Sequence, residues 1–317
     1  TWRHLDTCQF KTLVTAPLPR TDCDQCGVKT VSPPWALAHS RFTLLFERLA
    51  ISALLQMSIK GACALLKISW DEADAIISRA VGRGLSRRDL SKVKRIAIDE
   101  KAVLKGHIYI TVVSDLDTSK VIWVGLDRTK ETLDGFFCTL STEQRAGIEC
   151  IAMDMWRPFR ASCRQWIPDA DAKTVIDRFH VERLVTQAVD NVRRQECASM
   201  IKGTNNPLSG SRWDWLYNSQ NLPAHRRENF ELLKKLNLKT GEAYAIKESL
   251  KPVWNLDDPQ LAKEYFGYWY DWAMDSKLQP IIRVAETIGR HLNRILNYFK
   301  FKASTAIAEG LNNKIQT

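Results

Sequence analysis

The stretch IECIAMDMWRPF, residues 148–159, is an apolar run that stops at an acid, Asp154, and continues with aromatic, basic and proline residues. A short, continuous apolar run bounded by a turn is typical of a strand that is buried on both faces of a sheet. A carboxylate that directly follows such a strand lies at the sheet edge where open α/β proteins bind ligands. The sequence therefore predicts a covered sheet with a polar site at the end of this strand.

Four further strands are predicted around this one. Three β-branched runs separated by short turns predict an antiparallel meander, and the remaining strands alternate with helical patterns. Strands and helices at this spacing indicate a mixed, five-stranded α/β sheet with helices on both faces. The strands are predicted at residues 95–100, 107–115, 120–126, 148–153 and 172–177.

Composition and pattern divide the chain into five segments. A strand-like, turn-rich start is followed by helices, then by the α/β core, and then by a stretch of roughly a hundred residues in which every pattern is helical. The predicted segments are a partial zinc-binding segment at 1–40, a helix-turn-helix region at 41–93, the first part of the core at 94–196, a helical insertion at 197–300 and a final core helix at 301–317.

The segment 41–93 has the pattern of a helix-turn-helix. Ser69 and Glu72 have the spacing of a capping box at the start of the second of two short helices. A helical pair that only packs is an open alternative, because Lys67 occupies the turn and acids open the second helix. A basic run after these helices is a better candidate for contact with the DNA backbone, although it is also compatible with a solvated face. The candidates are Arg79, Arg83, Arg87 and Arg88.

The start of the chain carries a C-x-x-C motif, formed by Cys23 and Cys26. Two cysteines on a tight turn present both sulfurs to one Zn²⁺, but a closed structural site requires four ligands. His4 and Cys8 are candidates for the other two, and a second pair upstream of Thr1 is the favoured alternative. Two free thiols in a loop remain the simplest interpretation.

The 317-residue chain carries a formal net charge of +10, with 45% hydrophobic and 26% charged residues. This composition is typical of a globular protein, and the excess of Lys and Arg favours a polyanionic partner because phosphate contacts release condensed counterions. A basic surface without a partner has the same composition. No apolar run approaches the roughly 20 residues that span a bilayer, so we expect a cytoplasmic protein without membrane contact.

Two acids follow strands that we expect to be neighbours. Asp99 closes the first strand and Asp154 the fourth, and both carboxylates emerge in one crevice if these strands lie side by side. Acids at strand ends are common, so the pair alone is a weak indication of catalysis. Glu309, on a helical pattern before Gly and two Asn residues, is the best third acid, although spacing does not place it. Its rivals are Glu100, Asp115, Asp177 and Glu182.

Two neighbouring buried carboxylates raise each other's pKa unless a cation neutralises them. A hard divalent cation takes oxygen ligands and bridges carboxylates to substrate phosphates. Two such ions about 4 Å apart activate a water or a 3′-hydroxyl and stabilise the leaving oxygen of phosphoryl transfer. The acids therefore indicate a site for two Mg²⁺ or Mn²⁺ ions.

Four short strings, in this order, make the sequence resemble a known family. The chain resembles, over nearly its whole length, the ISL3 family of bacterial insertion-sequence transposases, which carry a DDE triad. The strings are AIDE at 97–100, AMDMWRPF at 152–159, VIDRFHV at 175–181 and AEGLNNKI at 308–315.

The resemblance implies an RNase H-like fold, preceded by a zinc-binding segment and a helix-turn-helix that engage the terminal inverted repeats. It implies that Asp99, Asp154 and Glu309 form the metal-binding triad, with a helical insertion before the Glu. Asp177 and His180 match a family signature next to the site. For His180, capping or orienting the next helix is an equal alternative to contact with DNA or with a metal-bound water.

The sequence departs from this family near its ends. The cysteine pair expected upstream of Cys23 and Cys26 is absent, and the chain stops shortly after Glu309, where the family continues with a basic stretch. The chain also begins at Thr1, without Met, inside a strand-like pattern. We expect both ends to be cut, the zinc site to be incomplete and the final helix to be shortened.

The sequence thus predicts a Mg²⁺-dependent transposase that binds double-stranded DNA, cuts the ends of its element and joins their 3′-hydroxyls to a target. Pairing of two element ends favours a homodimer. The alternatives are a non-catalytic DNA-binding regulator or truncated, inactive remnant, and a nuclease of the same fold. Tryptophans of the insertion are candidates for stacking on a flipped base, although most such residues are core. They are Trp213, Trp215, Trp254, Trp269 and Trp272.

Overall fold

A computed structural model describes residues 1–104, 108–200 and 206–303 of the chain. The chain forms two compact units, one of residues 1–89 and one that starts at Leu90. In the described residues, none of the helices is both long and apolar enough to cross a membrane.

The first unit contains two small antiparallel hairpins and three helices. Its opening segment is strand-like and turn-rich, as predicted, but its strands are short. The hairpins pair β1 with β2 and β3 with β4. The elements are β1 (Trp2–Arg3), β2 (Leu13–Val14), β3 (Arg20–Cys23), β4 (Gly27–Thr30), α1 (Leu44–Gln56), α2 (Ile59–Leu66) and α3 (Trp70–Ser86).

Helices α2 and α3 form the helix-turn-helix. Lys67 ends α2 in the left-handed conformation, at φ 53°, which is the backbone geometry that made a glycine the expected residue at this turn. Ser69 and Glu72 form the predicted capping box at the start of α3. The prediction of two short helices was wrong for α3, which has 17 residues.

The core of this unit does not follow the apolar stripe that helical spacing predicts for α1. Leu45 and Leu55 are exposed, whereas Phe46, Glu47 and Ala50 are buried. The carboxylate of Glu47 points inward because Ser40, Arg79 and Arg83 supply hydrogen bonds or ion pairs to it. The buried face of α1 is therefore formed by Phe46, Ala50 and the paired Glu47 and not by its leucines.

The second unit is built on a five-stranded mixed sheet with the order β7-β6-β5-β8-β9. Strands β5, β6 and β7 form the predicted antiparallel meander, and β8 and β9 run parallel to β5. The strands are β5 (Arg95–Leu104), β6 (Ile108–Asp115), β7 (Lys120–Leu126), β8 (Cys150–Met153) and β9 (Thr174–Ile176).

Helices cover both faces of this sheet, as the sequence predicts. On one face, Ile96, Ile98 and Ile151 pack with apolar residues of α4 and α6. On the other face, the smaller residues Ala97 and Ala152 pack with Phe301 and Ala303, near the end of the described chain. The first helices of the unit are α4 (Lys130–Cys138), α5 (Thr142–Ala146), α6 (Arg157–Trp166) and α7 (Ala170–Lys173).

The remaining helices share a second hydrophobic core that includes the last residue of β9. Helix α8 supplies its buried face to this core, and α13 contributes to it while also covering the sheet. Three of the five candidate tryptophans, Trp215, Trp254 and Trp269, are buried in it, whereas Trp213 and Trp272 are exposed. The helices are α8 (Arg178–Ser199), α9 (Arg212–Leu216), α10 (Ala224–Lys235), α11 (Lys239–Leu250), α12 (Pro259–Asp275) and α13 (Gln279–Phe301).

Candidate active site

The register of the three parallel strands brings three acids to one edge of the sheet. Ala97 of β5 pairs with Ala152 of β8, which in turn pairs with Val175 of β9. Two residues after each of these stands an aspartate, and residues two apart along a strand point to the same face. Asp99, Asp154 and Asp177 therefore follow three in-register positions on one face of the sheet.

One detail of the sequence interpretation was wrong. Asp99 does not close its strand, because β5 continues to Leu104 in its pairing with β6. Its parallel pairing with β8 ends at Ala97. Asp99 thus lies where β5 extends past the shorter β8, and its side chain is buried.

Asp154 is held by the turn that leads into α6. Its Oδ1 accepts a hydrogen bond from the backbone N–H of Trp156, at 2.8 Å. Burial raises the pKa of the Asp154 carboxyl, and the neighbouring Asp99 raises it further. The hydrogen bond from Trp156 and the positive charges of His180 and Arg128 act in the opposite direction. The two predicted acids therefore lie close enough to repel each other.

Asp177 begins the next helix. Its Oδ1 accepts the backbone N–H of Phe179 at 3.1 Å, so it is the N-cap of α8, and its side chain is almost fully buried. His180 follows in the first turn, and its charge lowers the pKa of both Asp154 and Glu100. His180 therefore faces the carboxylates, and Asp177 orients the helix that carries it.

Two further residues belong to the site. Burial and the charge of Asp154 raise the pKa of Glu100, one of the rival acids. The guanidinium of Arg128 lies 3.6 Å from a Glu100 carboxylate oxygen. It also stacks on Tyr109 and on Trp156, at 3.9 and 4.7 Å from the ring centroids. The indole N–H of Trp156 donates a hydrogen bond to the backbone carbonyl oxygen of Arg128 at 3.0 Å, so Trp156 contacts both the backbone and the side chain of Arg128.

The other proposed acids have different positions. Asp115 pairs with Ile96, toward the opposite end of β5 from Asp99, so this rival is excluded from the site. Glu182 lies one turn further along α8, where burial raises its pKa. Glu309 lies outside the described residues. Within the described ranges, no three His, Cys, Asp or Glu side chains are arranged to hold a metal ion.

A polar groove runs along α8 from its first turn and reaches α9. Its volume is about 570 Å³, and Phe179, which is about half exposed, lies at the end next to Asp177. Arg183, Arg194 and Arg212 line it, together with amide and hydroxyl side chains. Asp190 in its floor forms ion pairs with Arg193, Arg194 and Arg212.

In the first unit, the predicted DNA-binding arginines fall into two groups. Arg79 and Arg83 of α3 pair with the buried carboxylate of Glu47, at 2.7 and 3.4 Å. Arg87 ends α3 and is exposed, and Arg88 follows it. Arg87 is therefore better placed to contact a partner than Arg79 and Arg83.

The C-x-x-C motif closes the β3–β4 hairpin. The sulfurs of Cys23 and Cys26 are 3.6 Å apart, and hydrogen bonds from the backbone of Gln25 and Cys26 lower the pKa of Cys23. His4 instead bonds to the Thr43 hydroxyl at 2.9 Å. Within the described ranges no third or fourth ligand joins the pair.

Comparison with known proteins identifies the chain. A family model described as a transposase of the ISL3 group matches residues 96–317, and the helix-turn-helix domain of transposase family ISL3 matches residues 31–81. The chain is 27% identical over 321 residues to the transposase for insertion sequence element IS1001 of Bordetella parapertussis, covering 99% of this chain and 78% of that protein. It is 27% identical over 345 residues to the transposase for insertion sequence element IS1557 of Mycobacterium tuberculosis, covering 99% of this chain and 76% of that protein. The chain therefore belongs to the ISL3 family of insertion-sequence transposases.

Proposed function

We propose that Asp99 and Asp154 hold divalent metal ions, Mg²⁺ or Mn²⁺, at the active site of this transposase, with Glu309 as the third ligand. The observation that carries this proposal is the register of Ala97 with Ala152, because each of the two aspartates stands two residues after one member of this pair. Hard carboxylate oxygens suit these ions, and burial together with the charge of Asp99 raises the pKa of Asp154, so a bound cation would offset the repulsion between the two carboxylates. The carboxylate chemistry of these three residues would therefore suit divalent ions.

The proposed reaction is transfer of a DNA strand by direct transesterification. The oxygen of a 3′-hydroxyl at the element end attacks a phosphorus of the target backbone. The bond from that phosphorus to its 3′ oxygen breaks, and the released oxygen takes a proton. Bound divalent ions would lower the pKa of the attacking hydroxyl or water and stabilise the leaving oxygen. Asp99 and Asp154 would hold them, and Asp177, which caps α8, would hold His180 near Asp154.

The DNA path that we propose follows the groove along α8. Its arginines provide cations for phosphates, and its amide side chains provide hydrogen-bond donors. Phe179 in this groove and the exposed Trp213, whose ring lies 5.1 Å from the Arg212 guanidinium, are the candidates for stacking on a base. Trp272 is exposed on α12 and is the remaining candidate among the predicted tryptophans.

The first unit is proposed to recognise the terminal inverted repeats of the element. A helix-turn-helix reads base edges with its second helix, which is α3 here, and Arg87 and Arg88 would contact the backbone. Cys23 and Cys26 would provide two of the four ligands of a Zn²⁺ ion. Because two element ends must be brought together, the active form is proposed to be a homodimer.

A strand-transfer assay tests this function against its alternatives. The purified protein is mixed with a labelled duplex that ends in the inverted repeat, with Mg²⁺ or with a chelator. A transposase cuts the duplex only with the metal, and it joins a pre-cut end with a free 3′-hydroxyl to a second duplex. A nuclease cuts without joining, and a regulator binds without cutting, so either result rejects the proposal.

Arg128 is expected to organise the turn that carries Asp154. We predict that Arg128→Ala lowers the rate of strand cleavage by roughly tenfold to a hundredfold, because the stack with Tyr109 and Trp156 and the ion pair with Glu100 are lost. Arg128→Lys should restore little of this rate, since an ammonium group does not stack as a planar guanidinium does. Full activity of the Ala variant in the cleavage assay contradicts this role.

A further inference from the structure

Helices α6 and α13 carry a cluster of arginines outside the groove along α8. Three of them recur at intervals of three and four residues along α6, and two are four residues apart on α13, so each set lies on one helix face. The name arginine cluster denotes Arg157, Arg160, Arg164, Arg290 and Arg294.

Few acidic groups balance this cluster. Asp171 of α7 accepts hydrogen bonds from Arg164 and from Arg294, the latter at 3.0 Å, and it is the one carboxylate that the described contacts give to the cluster. Arg294 is buried, and its Nε has no hydrogen-bond partner within the described structure. The cluster therefore combines an excess of positive charge with an unsatisfied donor.

The pKa values of groups in the cluster reflect the same excess of positive charge. Burial and the charges of Arg294 and Arg160 lower the pKa of His291, which lies within the cluster, to about 4. Arg290 and Arg157 act in the same direction. Burial and the neighbouring arginines also lower the pKa of Arg160, against the charge of Asp171. Like charges held together at this density destabilise a fold unless an anion binds between them.

The shape of the cluster favours a polyanion over a single phosphate ion. Arg157 and Arg164 are seven residues apart, and a rise of about 1.5 Å per residue separates them by roughly 10 Å along α6. Each strand of B-DNA carries a charge every 3.4 Å or so along the axis, so this length matches about three successive phosphates. Arg157 also starts α6, three residues after Asp154 in the sequence.

We propose that the arginine cluster binds the phosphate backbone of duplex DNA at the catalytic unit, a contact distinct from that of the helix-turn-helix. This role rests on the proposed function, since it requires DNA at the site. The DNA is either the segment that flanks the element end or the target. Both present the same phosphate chemistry.

The test removes three charges whose side chains the structure leaves partly or fully exposed. The variant Arg157→Gln, Arg160→Gln, Arg290→Gln keeps the contacts of Arg294 and Arg164 with Asp171. The control variant Lys235→Gln, Lys263→Gln, Lys277→Gln removes the same charge from exposed lysines elsewhere in the unit. Binding to an inverted-repeat duplex and to an unrelated duplex is measured between low and moderate salt.

In the cluster variant, we expect the slope of log Kobs against log salt to become shallower by roughly 2 to 3, with an affinity loss of about tenfold or more at low salt. Its melting temperature should stay the same or rise, because repulsion is removed. Weaker binding of both duplexes indicates contact with DNA in general, and weaker binding of the unrelated duplex alone indicates the target. An unchanged slope on both duplexes, or an equal loss in the control, overturns the proposal.

A second measurement covers the case in which the variant does not fold. In the wild-type protein, phosphates bound near His291 should raise its pKa from about 4, because negative charge favours the protonated imidazole. An NMR pH titration of the protein with and without a duplex measures this change. The variant His291→Gln identifies which signal belongs to His291. No change on saturation with DNA rejects the cluster as the contact. These readouts measure binding, so a failure of strand cleavage rejects the proposed active site without affecting them.

Discussion

Replacing Asp154 by Asn is expected to lower the rate of DNA strand cleavage by roughly a thousandfold or more while leaving binding to the inverted repeat intact. Asp154 is proposed to hold the catalytic ions, and such ions contribute several kcal/mol of transition-state stabilisation, of which about 4 kcal/mol corresponds to this factor. Asparagine has nearly the same shape and can still accept the Trp156 N–H. The measurement is single-turnover cleavage of a labelled element end in Mg²⁺.

The matched control is Asp117→Asn, at an exposed acid in the β6–β7 turn that pairs with Arg95. It should cleave at the wild-type rate. Equal rates for wild type and Asp154→Asn, with the control unaffected, would reject Asp154 as a metal ligand.

The same substitution should stabilise the metal-free protein. Because burial raises the pKa of Asp154 in the folded state, the ionised carboxylate costs stability, and this cost grows as pH rises from the ordinary value of 3.8 through the folded pKa. In EDTA at pH 7 the Asn variant should therefore have the higher free energy of unfolding, and the difference should vanish in acid. Mg²⁺ should stabilise the wild type more than the variant.

Replacing Glu47 by Ala is expected to lower the free energy of unfolding of the first unit by about 3 kcal/mol. The Glu47 side chain is 2% exposed, and its removal leaves Arg79 and Arg83, which are 25% and 32% exposed, without their common partner. Because water reaches both arginines in part, the loss of unfolding free energy should lie at the low end of the range found when buried ion pairs are broken. Chemical denaturation, followed by the signal of a probe in this unit, measures it.

Arg79→Gln distinguishes the structural role from a DNA contact. It should also destabilise the unit, whereas the exposed control Arg87→Gln should change stability by less than about 0.5 kcal/mol and weaken DNA binding. If Arg79→Gln instead leaves stability unchanged and only weakens binding, the sequence interpretation of Arg79 is correct and the Glu47 pair is unimportant.

The sheet and its two aspartates were predictable from the sequence because they depend on local pattern. The apolar runs that precede Asp99 and Asp154 are typical of strands covered on both faces. The sequence left open whether these two strands are neighbours, and the structure shows that they are. The extension of β5 past Asp99 was not predictable. Beyond Asp99 the strand has only one neighbour among the described strands, β6, so it is not buried between two strands and carries no continuous apolar run.

Arg128 could not be found from the sequence. It stands in a turn after β7, and it reaches the site because its guanidinium stacks between Tyr109 and Trp156, which come from two other segments. The sequence shows an aromatic residue, Trp156, two positions after Asp154, but nothing in the sequence connects Trp156 with Arg128, which lies 28 residues earlier. The inward orientation of Glu47 was missed for the same reason, since Arg79 and Arg83 approach it from another helix.

Helix α8 runs from the candidate site into the second hydrophobic core as one continuous element. It starts at the cap formed by Asp177, and its later turns carry Val185, Val189 and Val192 into the core of the insertion. With 22 residues it is roughly 33 Å long, so a tilt of about 5° at its first turn displaces the far end by roughly 3 Å. The packing of the distal turns of α8 in this core thus helps to set where its first turn, with His180, lies.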